Sequence, residues 1–302
     1  MKNIQQLVAE CEKSGRRFSD IMLEEEIKNT GLSREDIFNK MRENYAVMQR
    51  SLLQGLENEK SHSGLAGGDA KKLKSYLDLK NALSGEKILK AVNYAIAINE
   101  CNAAMGVICA TPTAGSCGVV PGVLLALKET LKKSDDEIVQ ALFCAGAVGF
   151  VIANNAVISG AAGGCQAEVG SASAMAAAAC VELAGGTPKM CANALAIALK
   201  NMLGLSCDPL AGLVEVPCIK RNAAGAANAL IAADMALAGI QSYVPADEVI
   251  DAMYKIGISL PLNLRETAMG GLAATETGKK WKKLLWTNYD ENEDGIQQHG
   301  NM

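Results

Sequence analysis

Three of the ten cysteines stand apart from the others in their surroundings. Cys165 follows Gly163-Gly164 and precedes Gln166, Cys207 lies in Ser206-Cys207-Asp208-Pro209, and Cys218 follows Val216-Pro217. Glycine leaves backbone amides free to approach anionic sulfur, and proline fixes the turns that aim a thiol. Separations of 42 and 11 residues match neither the close ligand pairs of a zinc finger nor the tight four-cysteine run of a ferredoxin. The three segments read as one site assembled from distant loops. Three thiolates are one short of a closed tetrahedral cage, so a metal or cluster held by them keeps one position open for a substrate oxygen. The competing readings are a purely structural role or a zinc-stabilised fold.

Proton transfer needs a group that titrates near neutrality. The chain has two histidines, and His299 falls near its end, which leaves His62 in the glycine loop Ser61-His62-Ser63-Gly64. His62 is the candidate base; the alternative is a histidine that hydrogen-bonds a ligand or orders its loop. Lys60 and Lys71 lack any sign of the burial that would lower a lysine pKa. A second loop, Thr111-Pro112-Thr113-Ala114-Gly115-Ser116-Cys117-Gly118, ends where a helix begins, and free amides and hydroxyls there make a nest for a carboxylate. The plainer alternative is a helix-capping turn. Asn154, Asn155, Gln166 and Asn222 are candidates for hydrogen bonds to sulfur or substrate, while Glu168 and Asp208, flanking cluster cysteines, are expected to make structural hydrogen bonds.

The elements that must carry these loops are helices. Of 302 residues, 49% are hydrophobic but only 4% aromatic, and 29 are glycine, a composition that favours closely packed small-residue helices over a β-sandwich. Few segments alternate strictly, so the fold class is all-α, with one catalytic domain over 1–284. Residues 1–60 form amphipathic surface helices within it, Ser33 caps one of them, and a longer helix fills 85–106. Loops are expected at 159–170, 185–188, 204–223 and 242–248, and a disordered polar tail at 285–302. The apolar stretch 141–162 carries Asn154, Asn155 and Ser159 and lacks basic or aromatic flanks, so it reads as a buried core helix and no membrane association is expected. A net charge of -4 gives no electrostatic footprint for nucleic acid. Cys101, Cys109, Cys144, Cys180 and Cys191 sit in alanine-rich runs as small hydrophobes, and a reducing, cytoplasmic setting is expected.

The segments Gly160-Ala-Ala-Gly-Gly-Cys-Gln-Ala-Glu-Val-Gly170, Gly204-Leu-Ser-Cys-Asp-Pro-Leu-Ala-Gly212 and Val216-Pro-Cys-Ile-Lys-Arg-Asn222 resemble the iron–sulfur L-serine dehydratase family, specifically the α subunit of its two-subunit bacterial form. The 61–68 and 111–118 loops match as well, so the resemblance covers about residues 60–280. It implies a [4Fe–4S] cluster on Cys165, Cys207 and Cys218 with one iron open to L-serine, no pyridoxal phosphate, and a separate β subunit. It implies that L-serine is dehydrated and deaminated to pyruvate and ammonia. On this basis His62 is the base or a substrate ligand. Ser61, Ser63, Gly64, Thr111, Thr113, Ala114, Gly115, Ser116, Asn155 and Gln166 are expected to bind substrate, and Cys117 is set aside as a fourth ligand. The same scaffold acting as a cysteine desulfidase, or as a non-catalytic redox sensor that needs only the cysteines, are the alternatives.

Overall fold

The computed structural model describes residues 2–57 and 60–297, and among them there are helices and no strands. α1 (Ile4–Ser14), α2 (Phe18–Thr30) and α3 (Arg34–Glu57) form an amphipathic outer layer. Asn3 caps α1 by accepting from Gln6 N, and Ser33 accepts from Asp36 N at the start of α3, so orphan amides at two helix starts are satisfied. Short α4 (Asp69–Asp78) leads to α5 (Glu86–Ala103), which packs on α3, α6 (Val119–Leu131) and α11 (Cys218–Leu237).

The centre of the molecule is α9 (Ser171–Leu183), in which every residue is buried. Around it stand α6, α7 (Asp135–Asn155), α10 (Pro188–Lys200) and α11. A helix surrounded on all sides cannot be amphipathic, and its alanines let neighbours approach closely. The α5–α6 crossing shows how close: a Cβ on Gly122 would lie 2.6 Å from Ala95 N, so no side chain fits there. Ala114–Leu131 and α7 are apolar enough to cross a membrane, yet 61% of each hydrophobic window is buried against other helices. Both behave as core helices of this bundle.

Two expectations need correction. The loop expected over 159–170 is largely helical: α8 (Gly160–Gly163) is a single turn, and Gln166–Gly170 is a π-helical turn running straight into α9. Such wide turns are uncommon and recur at functional sites. The polar tail expected from 285 instead continues α13 (Glu276–Gln297), which follows α12 (Ala246–Ser259) and the 262–275 segment. Leu285, Glu291, Glu293 and Gln297 all have good helix propensity, which lets the helix run on through this segment. His299 and the rest of 298–302 lie outside the described residues.

Candidate active site

Each cysteine segment is aimed by a different device. Cys165 immediately precedes the π-turn, and its successor Gln166 is fully buried. The Gln166 amide nitrogen donates to Gly163 O and Met253 O, both at 3.0 Å, and its oxygen accepts from Gly204 N at 2.9 Å. Its own backbone N–H donates to Leu205 O at 3.0 Å. Gln166 therefore stitches the Cys165 turn to the loop that carries Cys207. Gln166→Leu is expected to lower stability by about 2–4 kcal/mol, because buried donors and acceptors are orphaned at roughly 1–3 kcal/mol each. Denaturant unfolding checks this, and an unchanged midpoint would remove the stitching role.

Cys207 is pinned from the other side. Its N–H donates to Leu264 O at 2.8 Å and its carbonyl accepts from Glu266 N at 2.7 Å. This puts the 262–275 segment over the site, with Glu266 and Ala268 held at φ of 61° and 52°. Non-glycine residues in that region carry strain, which folds tolerate mainly where function needs the geometry. Cys218, expected in a loop, instead opens α11, so its sulfur sits at a helix N-terminus where backbone amides favour negative charge.

All three sulfurs are buried, at 2%, 2% and 6% exposure for Cys165, Cys207 and Cys218. The tightest donor set is Cys165, Glu168 and Cys207, whose ligand atoms lie within 4.8 Å of one another. Cys218 lies beyond that distance but near enough for the charges of Cys165 and Glu168 to push its thiol pKa up, after burial itself. Arg221 donates to Cys165 Sγ at 3.3 Å, to Ser206 O at 2.8 Å and to Asp208 Oδ1 at 2.8 Å. Asp208 Oδ2 accepts from Leu272 N at 2.7 Å. The Cys165 thiol is lowered by its hydrogen bond with Cys207 and by the Arg221 charge, whereas that same bond raises Cys207. The Arg221 guanidinium therefore favours negative charge on the Cys165 sulfur over the Cys207 sulfur.

Glu168 extends this group toward the 111–118 loop. Thr113 Oγ1 donates to Glu168 Oε1 at 2.7 Å, and Cys207 Sγ stands 3.9 Å from Oε2. Burial raises the Glu168 carboxyl, with Thr113 opposing and the Glu266 charge adding to the rise. Gly160 faces the same space: a Cβ there would lie 2.7 Å from Glu168 Oε2, 2.8 Å from Cys207 Sγ and 3.0 Å from Glu266 Oε2. A glycine keeps this pocket of sulfur and carboxylate open. Asn222 ties the loop to α11, accepting from Gly118 N at 3.0 Å while its amide nitrogen donates to Gly115 O at 2.7 Å and Cys218 O at 2.9 Å.

The His62 loop is bolted to the Cys218 segment by Glu215. Ser61 Oγ donates to Glu215 Oε2 at 2.6 Å and Ser63 Oγ to the same carboxylate at 2.8 Å. His62 stands exposed between the two anchored serines.

A family profile described as serine dehydratase alpha chain matches residues 13–273. The chain belongs to the serine dehydratase alpha chain family. It is 60% identical over 285 residues to a probable L-serine dehydratase alpha chain of Bacillus subtilis, covering 94% of this chain and 95% of that one. An L-serine dehydratase alpha chain of Peptoniphilus asaccharolyticus is 42% identical over 284 residues, covering 94% and 97%. L-serine dehydratase 1 of Escherichia coli is 37% identical over 283 residues, and the match spans 90% of this chain but 61% of that protein.

In this family member, some sequence expectations land together and others do not. Cys165, Cys207, Thr113 and Gly115 border one space, with Cys218 at its edge. Ser61 and Ser63 are anchors, their hydroxyls already committed to Glu215. Gly64, at φ of 74°, supports the turn in which its N–H donates to Ser61 O, and Ala114 O accepts from Asn102 Nδ2 in the neighbouring helix. Thr111 and Ser116 bond within their own loop, Ser116 Oγ donating to Thr111 O at 3.1 Å. Asn155 is turned to the chain start, donating to Lys2 O and Val151 O, and Asn154 bonds back to Phe150 O. Gln166 has its amide donors committed, and so positions cysteines. Cys117 is fully buried against Asn99 Nδ2, and burial pushes its thiol up to about 12, apart from the ligand group.

Arg221, Glu215 and Glu266 were not singled out from sequence, and Glu168 was assigned only a structural bond. A signal existed for two of them. Glu168 and Arg221 each follow a candidate ligand cysteine by three residues, which places them on the same helical face as that cysteine.

Proposed function

We propose that this chain is the catalytic α subunit of an L-serine dehydratase, converting L-serine to pyruvate and ammonia with a [4Fe–4S] cluster on Cys165, Cys207 and Cys218. The observation that carries this reading is the convergence of Cys165, Glu168 and Cys207, whose ligand atoms lie within 4.8 Å of one another, with Arg221 donating to Cys165 Sγ at 3.3 Å. The donor chemistry fits such a group: soft sulfur ligands in a site without a Cβ at Gly160, with the half-buried Arg221 offsetting negative sulfur. When bound, the cluster supplies a Lewis-acidic iron that turns the serine β-hydroxyl into a better leaving group. Cys165, Cys207 and Cys218 would hold it, with Arg221 donating to the Cys165 sulfur. The Glu168–Thr113 pair presents a carboxyl and a hydroxyl beside it to orient a polar substrate. Glu215 holds the His62 loop against the Cys218 segment, and His62 takes the α-proton as water leaves. The resulting aminoacrylate tautomerises to an imine, and water hydrolyses it to pyruvate and ammonia.

Pyridoxal phosphate has no part in this scheme, since iron activates the leaving group where pyridoxal would stabilise a carbanion. The relatives named alpha chain support a separate β subunit as partner. A cytoplasmic, membrane-free and nucleic-acid-free enzyme completes the proposal.

Anaerobic purification with the β partner tests it. The preparation is expected to contain iron and inorganic sulfide, to absorb broadly in the visible range, to change that spectrum on adding L-serine, and to lose pyruvate formation in air. Iron-free, inactive protein after anaerobic reconstitution would defeat it.

A further inference from the structure

Arg221 joins all three cysteine segments. It lies in the first turn of α11, which Cys218 opens. Its Nη1 donates to Cys165 Sγ at 3.3 Å and to the carbonyl of Ser206, the residue before Cys207, at 2.8 Å. Nη2 donates to Asp208 Oδ1 at 2.8 Å. The other Asp208 oxygen accepts from Leu272 N at 2.7 Å, and a Cβ on Gly271 would overlap this carboxylate, so the acid is fixed from both sides. The Arg221 and Asp208 side chains are 16% and 5% exposed, so water and salt screen their charges little.

The shape of the group matters. A guanidinium spreads its donors in one plane and here meets three acceptors at once, whereas a lysine ammonium is a point charge on a flexible stem. The sign of the charge matters as much. The other ionised groups acting on the Cys165 and Cys207 sulfurs, Glu168 and Glu266, are acidic. An electron added to a cluster held by these sulfurs brings further negative charge beside Cys165. A hydrogen bond to the ligand sulfur and a positive charge next to it favour that reduced state. Asp208, a negative charge behind the guanidinium, works against it. We propose that Arg221 and Asp208 are positioning residues that set the reduction potential of the cluster in opposite directions, Arg221 raising it through its bond to Cys165 and Asp208 holding it down. This inference rests on the cluster reading given above.

The test is a mediated redox titration of the anaerobically purified complex, followed by its visible spectrum and by electron paramagnetic resonance. Arg221→Met is expected to lower the potential and Asp208→Asn to raise it. Each shift is expected to be about tenfold in the reduced-to-oxidised ratio at a fixed applied potential, or ~59 mV for one electron. Arg221→Lys keeps the charge and loses the fork, and is expected to fall between the parent and Arg221→Met. Lys220→Met is the control: this cation of the same turn is 55% exposed and paired with Asp69, and its loss is expected to leave the potential in place. Opposite signs distinguish a charge effect from a structural one, because loosening the site would move both variants the same way. Arg221→Met at or above the parent potential, or Asp208→Asn at or below it, overturns the proposal. Where Arg221→Met holds no iron, Asp208→Asn decides alone. An iron-free parent defeats the cluster reading and this inference with it, whereas a cluster-loaded parent with unshifted variants defeats this inference only.

Discussion

Cys207→Ser is expected to abolish pyruvate formation, by at least ~100-fold, together with most of the iron and sulfide of the anaerobically purified protein. Serine occupies nearly the same volume, so the fold survives, but a neutral hydroxyl is a poor ligand for a cluster that wants soft thiolate. Cys207 is the most exacting of the three positions. Its backbone is clamped to Leu264 and Glu266 by bonds of 2.8 and 2.7 Å, and its side chain lies in the group of Cys165 and Glu168. No neighbouring cysteine can move in to replace it, because Cys117 is buried against Asn99. Cys109→Ser, a partly exposed cysteine outside the site, is the control and is expected to retain iron and activity. Full iron content in Cys207→Ser with normal turnover would remove Cys207 from the ligand set and leave the family assignment standing without this mechanism.

The second large effect is expected at His62. His62→Ala is expected to keep the cluster spectrum and lose turnover by about 10²–10⁴, the range for removing a positioned acid–base group. The geometry separates it from its neighbours. Ser61 and Ser63 spend their hydroxyls on Glu215, so the loop is held with His62 as its exposed, unspent side chain. Because the anchors remain in His62→Ala, the loop keeps its place and a kcat loss reports chemistry. A rise in KM with kcat intact would make His62 a substrate ligand, and unchanged turnover would exclude it from both roles. Solvent exchange of the serine α-proton in the presence of the variant supplies an independent readout, since a missing base suppresses exchange as well as product.

How much of this was legible beforehand follows from the range of the interactions. Glycine and proline beside Cys165, Cys207 and Cys218 are local signals, and they marked the three thiols without any fold. Alanine-rich, aromatic-poor composition made the bundle legible, because small residues permit helices to pack on every face, as α9 does. The 61–64 and 111–118 loops were recognisable as loops for similar reasons. The roles inside them were not. Ser61 and Glu215 are 154 residues apart, and Gln166 and Gly204 are 38 apart, so no local pattern tells a substrate ligand from a clamp. Asn155, a polar residue near the site in sequence, bonds instead to Lys2, 153 residues away.

By itself the sequence determined the helical class and the family, and it nominated the three cysteines as ligands, because each rests on composition or on residues adjacent in the chain. Only the tertiary structure decided which polar groups are already satisfied. It committed Gln166, Ser61 and Ser63 to positioning, and brought Glu168, Glu266 and Arg221 to the sulfurs. A buried hydrogen bond is a property of two segments meeting with water excluded, and neither segment carries that information alone.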